Sequence, residues 1–238
     1  MKPIKPLGYK SYGSIPHLIG SRLGVGDHHA HEGQVRIATE KPRDKHDIII
    51  VQEKLDGGNV GVAKLNGKII ALSRSGYLAI DSPHKTHHAF ELYVRRNEDR
   101  FNELLNEGER ICGEWLLHAV GTKYNLPHEP FVPFDLMTGT ERSVYVEFRD
   151  RVQKLGFTIP RVIMSCVPVS IKEIEPLLDQ SEHGALEPVE GAIWRVERKG
   201  KVDFLVKYVR PSKQDGKYLN DNILNWLPKE FDYLTKVF

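Results

Sequence analysis

The dipeptide Asn66-Gly67 lies between two short apolar segments, VGVAKL and KIIALS. Both residues tolerate positive φ, and an Asn-Gly pair between two such segments is the strongest short-range signal for a β-hairpin. A second pair of apolar segments, GAIWRVE and VDFLVKYV, flanks Lys199-Gly200 in the same way. Strands joined by tight turns run antiparallel. The sequence therefore predicts antiparallel sheets.

Other segments of the chain have the patterns of strands and helices. The runs DIIIVQ, RICGEWLL and FVPFDLM are expected to be strands. Helices are expected over residues 90–109, 142–155, 171–178 and 220–238, the last with an interruption at Pro228. Hairpin-connected strands with helices between them are typical of an α+β fold and not of a doubly wound parallel sheet.

Composition and length indicate an ordinary globular protein. The chain has 238 residues, of which 40% are hydrophobic and 28% charged, and no apolar stretch is long enough to span a bilayer. The basic N-terminus lacks the apolar segment of a secretory signal, so we expect a cytoplasmic protein with no membrane partner. The net charge of +2 fits a protein that meets phosphates on one face, but it does not require nucleic acid.

The chain shows no obvious linker, so we expect a single domain over residues 1–238. Residues 7–46 are rich in Gly, His, Ser and Pro and show little periodicity. We therefore expect a loop-rich N-terminal segment, 1–46, and a helical C-terminal tail, 220–238. No separate C-terminal β-barrel is expected to fit after Pro211.

Cysteines and histidines offer no strong metal or disulfide signal. Two cysteines, Cys112 and Cys166, cannot form a disulfide framework, and their apolar neighbours predict that both are buried. The histidine clusters at 27–31 and 84–88 could bind zinc, but neither has a cysteine partner. Solvated loop histidines near phosphate are the favoured interpretation, with a structural metal as the alternative.

Lys54 lies at the end of the first expected strand, within Glu53-Lys54-Leu55-Asp56-Gly57-Gly58-Asn59. The two glycines allow the backbone to turn and a ligand to approach closely. A nucleophilic lysine must be neutral, and burial and neighbouring cations can lower its pKa from about 10.4 to about 7–8. Taken alone, this pattern favours a surface lysine before a turn, and the catalytic interpretation depends on the motifs that follow.

Five more short motifs follow Lys54 along the chain. They are Ser73-Arg74-Ser75-Gly76, Cys112-Gly113-Glu114-Trp115, the run FVPFDL with Phe134 and Asp135, Glu190-Gly191-Ala192-Ile193, and Leu205-Val206-Lys207-Tyr208. Together with Lys-x-Asp-Gly, and in this order, they resemble the covalent nucleotidyltransferases, which comprise DNA ligases, RNA ligases and mRNA capping enzymes. The matched span runs from Lys54 to Lys207.

The resemblance implies a role for each position. Lys54 would carry AMP covalently, and Lys207 would grip the α-phosphate. The residues implied to bind ATP are Glu53, Asn59, Arg74, Glu114, Phe134 and Glu190. Arg74 would contact the ribose or a nucleic-acid phosphate, Glu114 the ribose hydroxyl, and Phe134 would stack on the adenine.

The resemblance also implies Mg²⁺ or Mn²⁺, held by Glu190 or through its water, with Asn59 orienting a water on the metal. The last motif departs from the family pattern. Many relatives have Lys-x-Lys there, whereas Val209 follows Lys207 by two residues in this chain. Arg210 or Lys213 is a candidate substitute for the missing lysine.

The pattern K-x-D-G-x-N, which ends at Asn59, resembles phage RNA ligases that seal nicked or double-stranded RNA. The stretch 14–22 is also similar to compact RNA ligases. The resemblance implies an ATP-grasp-like adenylyltransferase domain with a nucleotide-binding cleft. It implies an ATP-dependent ligase that joins 5′-phosphate and 3′-hydroxyl RNA ends through lysyl-AMP and an adenylylated 5′ end. Nicked duplexes or RNA/DNA hybrids are candidate substrates, and a monomer is expected.

Three other functions stay open at this point. A trimmed DNA-acting ligase and an mRNA-capping-type guanylyltransferase belong to the same superfamily. A non-catalytic RNA-binding protein is the third, but it would not need Glu114 and Glu190 beside a motif lysine. The two acids together favour an enzyme.

Overall fold

The computed structural model describes residues 4–219 and 223–238, which form an α+β fold. Its strands are β1 (Asp47–Lys54), β2 (Gly58–Leu65), β3 (Lys68–Ser73), β4 (Glu109–Trp115), β5 (Phe131–Thr138), β6 (Glu141–Arg142), β7 (Val162–Ser165), β8 (Gly191–Arg198) and β9 (Lys201–Val209). Its α-helices are α1 (Glu32–Thr39), α2 (Lys85–Arg96), α3 (Glu98–Leu104), α4 (Tyr145–Lys154) and α5 (Ile171–Ile174). Turns of 3₁₀ helix cover Ala79–Asp81, Glu175–Asp179 and Lys229–Val237.

The strands form two antiparallel sheets, as the hairpin pattern predicts. One sheet has the order β7-β1-β8-β9, and the other has the order β3-β2-β4-β5-β6. The chain leaves the first sheet at Lys54 and enters the second at Gly58. The short Lys-x-Asp-Gly segment therefore connects the two sheets.

Both expected hairpin turns are confirmed. Asn66 and Gly67 have φ values of 53° and 70°, and Lys199 and Gly200 have values of 49° and 76°. Positive φ at both central residues defines the turn type whose twist suits a two-residue hairpin. These turns fix the register of β2 with β3 and of β8 with β9.

Each sheet has its own apolar core. The five-stranded sheet packs on α2, α3 and α4, where Phe90 meets Trp115 with ring centroids 5.1 Å apart. The four-stranded sheet packs on α1 and α5 around the fully buried Trp194. The two sheets therefore have separate apolar cores.

The helix predictions are corrected in their bounds. The expected helix 90–109 is two helices divided at Asn97, whose side chain bonds the carbonyl of Tyr93, and the chain is already in β4 from Glu109. The expected helix 142–155 begins at Tyr145, because Arg142 pairs with β5 instead. The expected helix 171–178 tightens into 3₁₀ geometry after Ile174, next to Pro176.

The expected helical tail 220–238 is helical only after Pro228, and there as a 3₁₀ helix. Residues 220–222 lie outside the described part. Leu224 and Trp226 instead form β-bridges with His118 and Asn125, because this stretch lies along a neighbouring extended segment. Tertiary pairing therefore overrides the local helical preference.

The N-terminal segment 1–46 is less irregular than expected. It contains α1, whose N-cap is His31, and histidine is not among the residues that usually signal a cap. Residues 16–18 pair with the outer edge of β9, where Leu18 donates to the carbonyl of Lys207 at 2.8 Å. This segment therefore extends the four-stranded sheet.

One cysteine and one histidine cluster also differ from expectation. Cys112 is buried, but Cys166 is exposed with φ 85°, because it turns the chain at the end of the edge strand β7. His87 and His88 are not loop residues: they lie in the first turn of α2 and bond to Ser82. Among the described residues, no group of three or more His, Cys, Asp and Glu side chains forms a ready metal site.

Candidate active site

A cavity of about 390 Å³ lies between the two sheets, at the crossing from β1 to β2. The structure brings all of the sequence-predicted site residues to its walls: Glu53, Lys54, Asn59, Arg74, Glu114, Phe134, Glu190 and Lys207. These residues come from six separate segments of the chain. The family resemblance implied that they would share one cleft, and the structure brings them together in one cavity.

Glycines allow the motif segments to pack closely at this crossing. A Cβ at Gly57 would lie 2.6 Å from the carbonyl oxygen of Trp115, and one at Gly191 would lie 1.8 Å from that of Tyr208. Both distances are too short for any side chain. The Gly57 amide donates to the Glu114 carboxylate at 3.0 Å, so the connection also orients one of the acids.

Lys54 points into the cavity and forms an ion pair with Glu190. Burial alone would lower the pKa of Lys54, but the nearby carboxylates of Glu190 and Glu114 outweigh burial and raise the pKa. The expectation of an uncharged lysine is therefore wrong for the ligand-free protein. Lys54 is therefore a cation beside Glu190.

Two acids of the cavity, Glu114 and Glu53, have raised pKa values. Burial raises the pKa of Glu114 to about 7, although the Lys54 ammonium acts in the opposite direction. Burial raises the pKa of Glu53 to about 7 as well, although Ser181 donates to one of its oxygens at 2.6 Å. The other oxygen of Glu53 is buried and has no hydrogen-bond partner among the described residues.

Asn59 presents a second buried oxygen without a partner. Its Oδ1 accepts no hydrogen bond from the described residues, and its cross-strand neighbour is Glu114. Directly paired residues in antiparallel strands have side chains on the same face, about 5 Å apart. An amide oxygen and carboxylates are the donors that a hard cation such as Mg²⁺ prefers.

Two lysines approach the cavity from the chain after β8. Lys207 lies on β9 with Nζ 3.5 Å from Oδ1 of Asp27. Burial, helped by the charge of Lys54, lowers its pKa. Lys213 lies beyond β9 with Nζ 2.5 Å from Oδ2 of Asp56, the acid of the Lys-x-Asp-Gly motif.

Of the two candidate substitutes for the missing lysine, only Lys213 contacts a residue of the cavity wall, Asp56. Arg210 instead bonds Asp179 at 3.0 Å, away from the cavity. The sequence offered no way to choose between them, because the choice depends on how the loop after β9 folds back. Lys213 is held there by Arg22, whose guanidinium donates to its carbonyl.

Phe134 and Arg74 both lie on the cavity wall and contact the N-terminal segment. Phe134 is half-buried and meets Tyr12 edge to face, with ring centroids 5.0 Å apart. Arg74 is exposed and donates to Ser14 at 3.2 Å. Sequence reasoning missed Tyr12, which lies in the irregular N-terminal segment.

A buried ion pair between the two sheets forms part of the cavity wall. Arg195 of β8 donates to Asp135 of β5 at 2.5 Å, and each side chain is 1% exposed. Asp135 also accepts from Arg142 and Tyr12, and Arg195 also donates to Glu197. Sequence reasoning noted Asp135 only as a neighbour of Phe134 and missed Arg195.

The fold is that of known ligase nucleotidyltransferase domains. The chain is similar to a Naegleria gruberi RNA ligase solved with PPi, with a TM-score of 0.60, 16% identity and coverage of 92% of this chain and 59% of that chain. It is similar to an archaeal ATP-dependent RNA ligase, with a TM-score of 0.50, 19% identity and coverage of 84% and 48%. A variant of the Naegleria ligase, with a TM-score of 0.54, was solved with ATP and Mn.

The family model described as RNA ligase matches residues 47–209, more than half of the chain, so this chain belongs to the RNA ligase family. An uncharacterized protein of Methanocaldococcus jannaschii is 23% identical over 163 residues, which are 68% of this chain and 38% of that protein. The chain thus spans about half the length of the solved structures described above, and less of this relative. Among residues 4–219 and 223–238, no helix has the length and apolar character needed to cross a membrane.

Proposed function

We propose that this chain is the adenylyltransferase domain of an ATP-dependent RNA ligase that joins 5′-phosphate and 3′-hydroxyl ends through lysyl-AMP. The observation that carries the proposal is the position of Lys54. It lies in the inter-sheet cavity, paired with Glu190 and surrounded by every other motif residue. A surface lysine before a turn would have none of these neighbours.

In the first step, Nζ of Lys54 attacks the α-phosphorus of ATP. A P–N bond forms, the P–O bond to pyrophosphate breaks, and pyrophosphate leaves. The ammonium must first lose a proton, and the acids that surround it are the nearest acceptors. Burial raises the pKa of both Glu190 and Glu114, so each is a better base than an exposed carboxylate.

In the second step, a 5′-phosphate oxygen attacks the same phosphorus, and Lys54 is released. In the third, the 3′-hydroxyl attacks the activated 5′-phosphate, and AMP leaves. Negative charge develops on phosphate oxygens in each step. Lys207 lines the cavity and Lys213 contacts Asp56 on its wall, so these two cations are suited to stabilise this charge.

Glu190 and Asn59 would hold a divalent cation such as Mg²⁺ or Mn²⁺. Support comes from the unpartnered Oδ1 of Asn59 and from the oxygen-only character of the donors around it. When bound, the cation would neutralise charge on the phosphate oxygens. A site with few protein ligands suits Mg²⁺, which keeps several waters and binds substrate phosphates directly.

Glu53 and Phe134 are suited to recognise the base. The unpartnered oxygen of Glu53 can accept a hydrogen bond from the exocyclic amino group of adenine, whereas guanine has an acceptor at the corresponding position. Phe134 offers a half-buried ring for stacking, which is worth about 1–3 kcal/mol per base. The acceptor oxygen of Glu53 favours ATP over GTP and a ligase over a capping enzyme, whereas stacking on Phe134 suits either base.

The test is covalent labelling of the protein with α-labelled ATP and a divalent cation. We expect label on the wild-type chain, none on Lys54→Ala, and full label on the control Lys68→Ala, whose lysine is the exposed first residue of β3. Labelling of Lys54→Ala at the wild-type level would refute the proposal. Stronger labelling by GTP than by ATP would favour a capping-type enzyme.

The nucleic acid is tested separately with nicked duplexes that differ only in the strand being sealed. If the wild-type chain is labelled by ATP, we expect it to seal nicks in RNA or in an RNA/DNA hybrid. Sealing of DNA alone would instead support a DNA-acting ligase with the same first step.

A further inference from the structure

The N-terminal segment is attached firmly along the outer edge of β9. Lys207 donates its amide to Pro16 at 2.9 Å, Leu18 donates to Lys207 at 2.8 Å, and Arg22 donates to Val209 at 3.0 Å. Leu18 is fully buried in the core of the four-stranded sheet. Because both the amide and the carbonyl of Lys207 bond to the N-terminal segment, the segment is held next to that residue.

The same segment brings a carboxylate to the Lys207 side chain. Oδ1 of Asp27 lies 3.5 Å from Nζ of Lys207, and Oδ2 lies 2.9 Å from Nε2 of His17. The Gly24 amide donates to Oδ2 at 3.1 Å. Asp27 is therefore fixed on one side by the segment itself and faces the lysine on the other.

A chain of polar contacts behind Asp27 leads back to β9. The Val209 amide donates to Oγ of Ser21 at 2.9 Å, and that hydroxyl lies 2.7 Å from Nδ1 of His17. Ser21 can donate its proton to Nδ1 or to the carbonyl of Arg22, 3.4 Å away. With the first arrangement the proton of a neutral His17 lies on Nε2, which approaches Asp27 at 2.9 Å without the alignment of a hydrogen bond. Burial lowers the pKa of His17, which keeps the ring neutral.

We propose that Asp27 is a positioning residue that aims the Lys207 ammonium into the cavity, with His17 and Ser21 as its supports. The proposal rests on the proposed function, in which Lys207 contacts the α-phosphate. A separation of 3.5 Å is long for a charged hydrogen bond, so Asp27 orients the ammonium without consuming all of its donors. The N-terminal segment thereby becomes part of the active site.

The charges around Lys207 explain why it needs such a partner. Lys54 on β1 is a nearby cation, and Glu190 before β8 is already paired with Lys54. His17 faces the same space but is neutral. With Glu190 paired to Lys54, Asp27 is the carboxylate that pairs with Lys207.

The experiment compares Asp27→Ala and Asp27→Asn with the wild-type chain in single-turnover labelling by α-labelled ATP. Loss of alignment at a reacting phosphate costs roughly tenfold to a hundredfold in rate. We expect a loss in this range for Asp27→Ala at saturating ATP, and a smaller loss for Asp27→Asn, which keeps an acceptor oxygen. Asp179→Ala removes the partner of Arg210 outside the cavity and should leave the rate unchanged.

A double-mutant cycle with Lys207→Ala separates positioning from a structural effect. If Asp27 acts through Lys207, Asp27→Ala will slow labelling in the wild-type background and have little effect in the Lys207→Ala background. Equal losses in the two backgrounds would overturn the inference, as would a wild-type rate for Asp27→Ala. Absence of label on the wild-type chain would instead refute the proposed function.

Discussion

The buried Arg195–Asp135 pair provides a test of how the two sheets are held together. Asp135→Asn removes the negative charge and leaves the shape of the side chain nearly unchanged. Arg195 would then keep Glu197 as its acidic partner at 2.8 Å, while Arg142 and Tyr12 would face a neutral amide. Removing one partner of a buried ion pair leaves the other charge poorly compensated.

The expected cost follows from this geometry. Breaking a buried pair destabilises a protein by about 3–5 kcal/mol, and the remaining bond from Arg195 to Glu197 points to the lower end of that range. In a domain of this size, 3 kcal/mol corresponds to a fall in Tm of roughly 6–12 °C. We therefore expect both a lower Tm and a lower urea midpoint for Asp135→Asn.

The matched control is Asp203→Asn, which breaks the half-exposed pair of Asp203 with Arg43. Surface pairs contribute about 0–1 kcal/mol, so this variant should be close to wild type. Urea unfolding followed by circular dichroism measures both. Equal stability of the two variants would refute the view that the pair between the sheets is a major structural contact.

Three further predictions concern the site and its surroundings. Burial lowers the pKa of His183 to about 3 from 6.5, so the folded protein binds fewer protons than the unfolded chain between these values. The free energy of unfolding that this histidine contributes is fully present above pH 6.5 and falls as the pH drops towards 3, by up to about 1.4 kcal/mol per pH unit. In His183→Gln, the urea midpoint should fall less over the same pH range. Gly57→Ala should abolish labelling because its Cβ would lie 2.6 Å from a backbone oxygen, whereas Gly58→Ala, with 3.9 Å to the same atom, should retain most of it. Because the pKa of Glu53 is about 7, its carboxylate ionises between pH 6 and 8, and ATP affinity measured by calorimetry should rise about tenfold over that range. A rise of equal size in Glu53→Gln would contradict base recognition by Glu53.

Local sequence was sufficient for the parts of this protein that depend on neighbouring residues. Asn66-Gly67 and Lys199-Gly200 determine their hairpins, because the backbone conformation of a two-residue turn is a property of those residues. The order of the short motifs was sufficient to indicate the family and the residues that would line a cleft. Helix bounds were less accurate where tertiary pairing competes, as at Arg142 and Trp226.

The tertiary structure alone decided the charge and the partners of those residues. Lys54 is a cation because Glu190 and Glu114, which are distant in sequence, outweigh the effect of its burial. Lys213 reaches Asp56 and Asp27 reaches Lys207 only because a loop and an irregular segment fold back onto β9. Electrostatic interactions depend on distance and burial in space, and the order of residues along a chain specifies neither.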